Sequence, residues 1–270
     1  MDYLAREAAP ISEALWAQID ATVIENAKQH MVCRRFLSIY GPLGAGASSV
    51  PVDSAQKGES LENNMGRITG RRMAELPQLY QDFSILWRDI AEADKTGYPL
   101  DLAAAATAAQ RSAKQEDELI LLGNKELGTE GLLNAEGAFK IKRDDWSAGE
   151  NAYKDVAHGI AYLSSHSMLG RYALVVSPDI YLDLQRLQPN VGLLEIDRIK
   201  ALVDNRVYAA GPFGVGKAVL LCAQPQYMDL AIGMDLSVGY LEQRDFNHYF
   251  RIMETAALRI KEPKAIVVFE

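Results

Sequence analysis

Cysteine is scarce in this sequence. Only Cys33 and Cys222 occur in 270 residues, far apart and without C-x-x-C spacing. This excludes a disulfide framework and suits a reducing compartment where thiols stay free. Long apolar runs are missing too. No stretch approaches the 18 or so residues that cross a bilayer, and Met1 to Glu7 carries no basic-plus-apolar leader, so the expected location is the cytoplasm, with no membrane partner. Basic character is also low: 28 Lys and Arg stand against 36 Asp and Glu, a net charge of −8 and a pI near 5.2. Without a basic arm or Lys/Arg-rich run, nucleic acid is not an expected partner, because such binding draws on cations that neutralise phosphates.

Catalytic signatures are equally thin. The four histidines (His30, His158, His166 and His248) form no H-E-x-x-H, and His30-x-x-Cys33 is two residues short of a metal site, so no metal is expected. There is no G-x-S-x-G elbow, no base adjacent in sequence to either cysteine and no di-iron Glu-x-x-His, which lowers the expectation of an enzyme. Gly211-Pro-Phe-Gly-Val-Gly-Lys217 fits the spacing of a phosphate-cradling loop, but Ala218 stands where the Mg²⁺-binding hydroxyl belongs. The following Val219-Leu-Leu-Cys is β-like, whereas such a loop must open a helix. The sequence therefore predicts a glycine-rich turn between two strands, with a nucleotide site as the alternative.

What is present is globular: 49% hydrophobic and 24% charged residues, in a chain long enough to bury about 70–75% of its unfolded surface as one large domain or two small ones. Ser12 and Glu13 mark a helix start, and Ile11, Leu15, Ile19, Val23, Ala27 and Met31 form an apolar stripe widened by Trp16 and Ile24, in a helix expected to stop before Gly41-Pro42. Residues 43–73 are rich in Gly, Ser, Asn and Asp and poor in apolar groups, a segment expected to find its contacts on a neighbouring subunit or to stay disordered. Phe83 to Arg88 alternates as a strand with Phe83, Ile85 and Trp87 on its core face. Asp101 begins an alanine-rich helix to about Leu122, stopped by Gly123, whose Glu116-Asp117-Glu118 is expected to form a solvated face. Leu133 to Gln224 reads as a mixed α/β insertion containing a helix near 151–164 and a strand Tyr172 to Val176. The remainder is β-rich, with Met228, Leu230, Ile232 and Met234 alternating, then Phe250 to Ile260, then Ala265 to Phe269.

The ordered series Leu4-Ala-Arg6, Ala9-Pro-Ile-Ser12, Trp16, Ile19-Asp20, Arg34-Arg-Phe36, Gly41-Pro42, Leu86-Trp87, Glu116-Asp-Glu118, Gly131-Leu-Leu133, Asp235-Leu-Ser-Val-Gly-Tyr240 and Glu254-Thr255 resembles the encapsulins, shell proteins of bacterial and archaeal nanocompartments. The resemblance implies an α+β fold like that of tailed-phage major capsid proteins. Its parts would be the N-terminal helix and start of a peripheral domain (1–42), an extended loop (43–73), the peripheral domain with its long helix (74–132), an axial domain (133–224), peripheral strands (225–262) and a C-terminal strand (263–270). It further implies self-assembly into a closed shell of about 60 copies or a multiple, roughly 1.8 MDa for the smallest. The cargo would be an enzyme such as a dye-decolourising peroxidase or a ferritin-like protein, held by its C-terminal peptide.

Carried onto this chain, the peptide groove falls on Ile24, Met31, Arg34, Asp229, Leu230 and Ile232, where apolar pockets take Leu/Ile-type anchors and Arg34 and Asp229 fix polarity. Equally, Ile24 and Met31 could simply pack the helix onto the sheet. A pore loop falls on Leu187, Gln188, Pro189, Asn190, Val191 and Gly192. No cofactor is expected, with a flavin stacked on Trp87 as the alternative to a core or interface tryptophan. The competing assignment for the whole chain is a phage or prophage capsid protein that packages DNA.

Overall fold

The computed structural model describes residues 3–52, 58–62, 65–69, 72–188 and 192–270. In chain order these form α1 (Glu13–His30), β1 (Ile39–Tyr40), β2 (Ser49–Val52), β3 (Gly58–Glu62), β4 (Met65–Thr69), β5 (Arg72–Glu75), β6 (Gln78–Ile85), α2 (Trp87–Thr96) and α3 (Ala103–Leu122). There follow β7 (Gly123–Asn124), β8 (Thr129–Glu130), β9 (Phe139–Ile141), α4 (Asn151–Ser165), β10 (Tyr172–Val176), α5 (Pro178–Asp183), α6 (Glu195–Leu202) and β11 (Val207–Ala209). The chain ends with β12 (Ala218–Cys222), β13 (Met228–Ile232), β14 (Ser237–Arg244), β15 (Asn247–Ile260) and β16 (Ile266–Phe269).

β15 is the spine of the first sheet. Its first half pairs with β14 on one side and β6 on the other, and its second half pairs with β13, which carries β1 on its far edge. The second sheet runs β11-β10-β12-β16-β9, so the last strand lies inside it between β12 and β9.

The capping signal at α1 holds: Ser12 Oγ accepts the Leu15 amide at 3.2 Å, satisfying one orphan donor of the first turn. Leu15, Ile19, Val23 and Ala27 are buried along the predicted stripe, and Trp16 meets Phe250 edge-on at 5.6 Å while Phe83 stacks on the same ring at 5.1 Å. These aromatics, with the alanines of α3, make one core between α1, α3 and the first sheet. Small side chains at Ala105, Ala108, Ala109 and Ala113 let α1 and the sheet approach α3 closely. A second, larger core joins both sheets, from Leu230 and Ile232 of β13 through β10, β12 and β16 to Val156 and Leu163 of α4.

α1 ends at His30, well ahead of the Gly41-Pro42 limit, and three other expectations need correction. The Asp117 carboxylate on α3 accepts the Val32 and Cys33 amides, both at 2.9 Å, and turns the chain into a short 3₁₀ helix, Cys33–Arg35. For the same reason Glu116-Asp117-Glu118 is not a solvated face: Glu116 and Asp117 are buried and only Glu118 reaches solvent, beside Lys114. The strand expected at 83–88 is β6, ending at Ile85. The Asn247 side chain accepts the Trp87 amide and the chain enters α2, which leaves Trp87 43% exposed rather than in the core. Finally, the segment 43–73 does find partners within its own chain. β2 pairs with β5 and β3 with β4, and Val50 packs against Leu76, Ala231 and Ala257.

Candidate functional site

The residues assigned to the peptide groove fall on α1, on the turn after it and on β13, and they do not form one open surface. Ile24 is 42% exposed on α1. Met31, Leu230 and Ile232 are buried, Met31 in the α1–α3 core and the other two in the core that joins the sheets. Asp229 is buried and fully engaged: Arg259 Nε and Nη2 donate to its two oxygens at 2.6 Å each, and Lys261 Nζ donates at 2.7 Å. The Arg259 guanidinium also lies 3.9 Å from the Tyr40 ring centroid and donates to the Pro51 carbonyl. Asp229 therefore ties β13 to β15 and to the base of the 43–73 segment.

Arg34 is the centre of the junction. Its Nε donates to Glu116 Oε1 and Oε2 at 3.0 and 2.8 Å, Nη2 donates to Glu116 Oε2 at 2.6 Å and to Glu254 Oε2 at 2.8 Å, and Nη1 donates to Asp235 Oδ1 at 2.7 Å. Burial works against the guanidinium's charge, but the hydrogen bonds and charge of Glu116, with help from Glu254, more than offset it and raise the Arg34 pKa. One residue thus links the segment after α1 to α3, to β15 and to the turn after β13. Alongside, burial raises the Asp117 carboxyl despite its two backbone donors. Burial, then the nearby Asp117 charge, lifts the Cys33 thiol well above its usual value, so that thiol stays protonated.

Sequence reasoning placed Arg34 here but missed Glu116, Asp117 and Glu254. A signal was available. The buried face of α3 runs 105, 108, 109, 112, 113, 116, 117, 120, and the two acids continue the spacing of the alanine stripe, so they had to point inward.

Of the pore-loop residues, Pro189, Asn190 and Val191 lie outside the described residues. Leu187 is exposed, Gln188 is buried with Nε2 donating to the Gly149 carbonyl at 2.8 Å, and Gly192 (φ 70°) donates to the Gln188 carbonyl at 3.0 Å. The flanking Leu187 and Leu194 form a bridge that closes the loop's neck.

Trp87 meets Phe246 edge-on at 6.2 Å, and the Arg88 guanidinium lies 5.5 Å from its ring centroid. Gly211 to Lys217 is the predicted turn between β11 and β12. Its Gly216 amide is taken by Asp179 and its Lys217 amide by Ser177, so donors that a phosphate would need are already used. The histidines are surface or packing residues: His30 and His166 bond backbone carbonyls one turn back, His158 is exposed, and buried His248 sits beside Tyr240. Among the described residues no group of His, Cys, Asp and Glu could hold a metal ion, and no helix is long and apolar enough to cross a membrane.

A long alanine-rich helix against a sheet with a 14-residue spine, a paired-ribbon segment extending from it, and a second sheet that incorporates the last strand define the α+β architecture of tailed-phage capsid and related shell proteins. Solved structures share it. A virus-like particle from Pyrococcus furiosus superposes with a TM-score of 0.77 at 19% identity, covering 95% of this chain and 99% of that one. The capsid of Myoviridae phage XM1 gives 0.65 at 17%, covering 89% and 91%. Residues 1–257 match the Linocin_M18 family, described as encapsulating protein for peroxidase. The type 1 encapsulin shell protein EncA of Myxococcus xanthus is 38% identical over 278 aligned positions, spanning 100% of this chain and 96% of that protein. The chain belongs to this family, the encapsulins.

Proposed function

We propose that this chain is the structural, non-enzymatic subunit of a closed cytoplasmic compartment that sequesters a protein cargo, a peroxidase or a ferritin-like enzyme in particular, and limits small-molecule access through pores. The observation that carries this reading is the relationship to a shell protein along the full length of the chain. The net charge of −8 supports protein over DNA as the cargo. Closed cubic symmetry asks for about 60 subunits or a multiple.

The cargo enzyme's C-terminal peptide docks along α1. Ile24 is the exposed apolar contact of that groove. Met31 backs that helix from the α1–α3 core and Arg34 stands at its end, held by internal partners, whereas Leu230, Ile232 and Asp229, buried on β13, act on the groove only through the packing of that strand. Expressed alone, the protein should elute near 1.8 MDa, the mass of about 60 copies, and show closed particles in negative stain; a stable monomer or small oligomer overturns the shell reading. Ile24→Asp should leave the particles intact and reduce cargo loading at least several-fold when the shell is co-expressed with its native cargo. Normal loading would remove Ile24 from the groove.

A flavin stacked on Trp87 is a second reading, favoured by the exposed indole. Purified particles that carry no flavin absorbance exclude it.

A further inference from the structure

The Arg34 junction has an imbalance of charge inside it. Three carboxylates surround one guanidinium, and two of them, Glu116 and Glu254, have fully buried side chains. Asp235 is 62% exposed, so water serves its charge. The buried pair must share Arg34. Glu116 takes most of the guanidinium, receiving Nε on both oxygens and Nη2 on one. Glu254 has only the second half of Nη2, and its Oε1 is buried without a hydrogen-bond partner.

An ionised oxygen in that position is costly, since a buried charge needs a partner on each side. We propose that Arg34, Glu116 and Glu254 form a proton-linked brace: Glu254 holds a proton while the segment after α1 is clamped to α3 and β15, and loss of that proton loosens the clamp.

The groups that face Glu254 from each neighbouring element agree with this. The 3₁₀ turn after α1 contributes Arg34, α3 contributes Glu116, and the turn after β13 contributes Asp235. β6 places Leu79 opposite Glu254. Asp117, next to Glu116, is occupied by the Val32 and Cys33 amides. Burial first, then the charge of Glu116, pushes the Glu254 carboxyl well above the ordinary 4.5, and Arg34 pulls against both without prevailing. Because the folded value exceeds the unfolded one, the folded chain binds the extra proton between the two. The stability this confers is complete below the ordinary value. It is lost as pH rises toward and through the raised value, at up to about tenfold in the folding equilibrium constant per pH unit. Rising pH should thus loosen the hold on the end of α1, a control that operates whatever lies along that helix.

The test is urea unfolding of the full chain at fixed protein concentration and ionic strength, across about pH 5 to 9. Wild type should lose stability relative to Glu254→Gln by up to about tenfold in the folding constant per pH unit over part of that range. Asp235→Asn, which leaves the buried pair in place, should keep the wild-type slope. Should Glu254→Gln not fold, Glu116→Gln carries the same test, because removing the neighbouring charge lets Glu254 pair with Arg34 as an anion and should flatten the profile. A profile parallel to wild type in the variant that folds overturns the brace.

Discussion

Replacing Arg34 by alanine would remove the one cation that, among the described residues, hydrogen-bonds Glu116, Glu254 and Asp235. The arginine side chain is 16% exposed and both glutamates are fully buried, so the variant strands two buried carboxyls rather than trimming a surface contact. Breaking a buried pair by deleting one partner costs about 3–5 kcal/mol, a large share of the roughly 5–15 kcal/mol that holds a domain together. Tryptophan fluorescence reports the unfolding, since Trp16 and Trp146 are buried in separate parts of the molecule. A urea midpoint that falls by about 3 kcal/mol worth of denaturant at unchanged slope is the expected result. A change under about 1 kcal/mol together with lost cargo would refute the reasoning, because Arg34 would then be a free recognition group rather than a structural hub.

Other outcomes follow from packing. Trp16→Ala removes the ring that meets Phe250 and Arg6, the latter 4.5 Å from its centroid, and should cost about 3–5 kcal/mol in the same assay. Gly159→Ala on α4 gains helix propensity, but its new methyl would stand 2.8 Å from Leu220 Cδ2 and 3.3 Å from Phe269 Cζ. Overpacking should win by about 1–3 kcal/mol, and a stabilised variant would show that β12 and β16 can yield.

Periodic features were legible in the sequence because they act locally. The Ser12 cap, the Leu15 to Ala27 stripe and the Gly123 stop each depend on residues within a turn or two of one another, and the structure keeps them. The family itself could be read from the order of short motifs along the chain. Long-range charge could not: nothing near Glu254 in sequence says that it meets Arg34, 220 positions away, and Asp229 reads as a polar group of the peptide groove until Arg259 is seen to hold it. Trp87 failed for another reason. Period-2 alternation from Phe83 continued across Leu86 only on paper, since Asn247 on a distant hairpin ends the strand. The ribbon at 43–73 was underestimated because the sparse apolar residues concealed backbone pairing, which needs no hydrophobic side chains.

The position of β16 has a bearing on how the subunit is made. It lies between β12 and β9, antiparallel to one and parallel to the other, with its four residues buried. During vectorial synthesis, β9 and β12 emerge first and wait on either side of an empty slot, each with an unsatisfied edge and an uncovered apolar flank. Until residue 269 arrives the second sheet is a two-sided template for any passing strand. Growing chains crowded on one message would be exposed to mispairing in that interval, and loss of Ile266 to Phe269 would leave the slot permanently open.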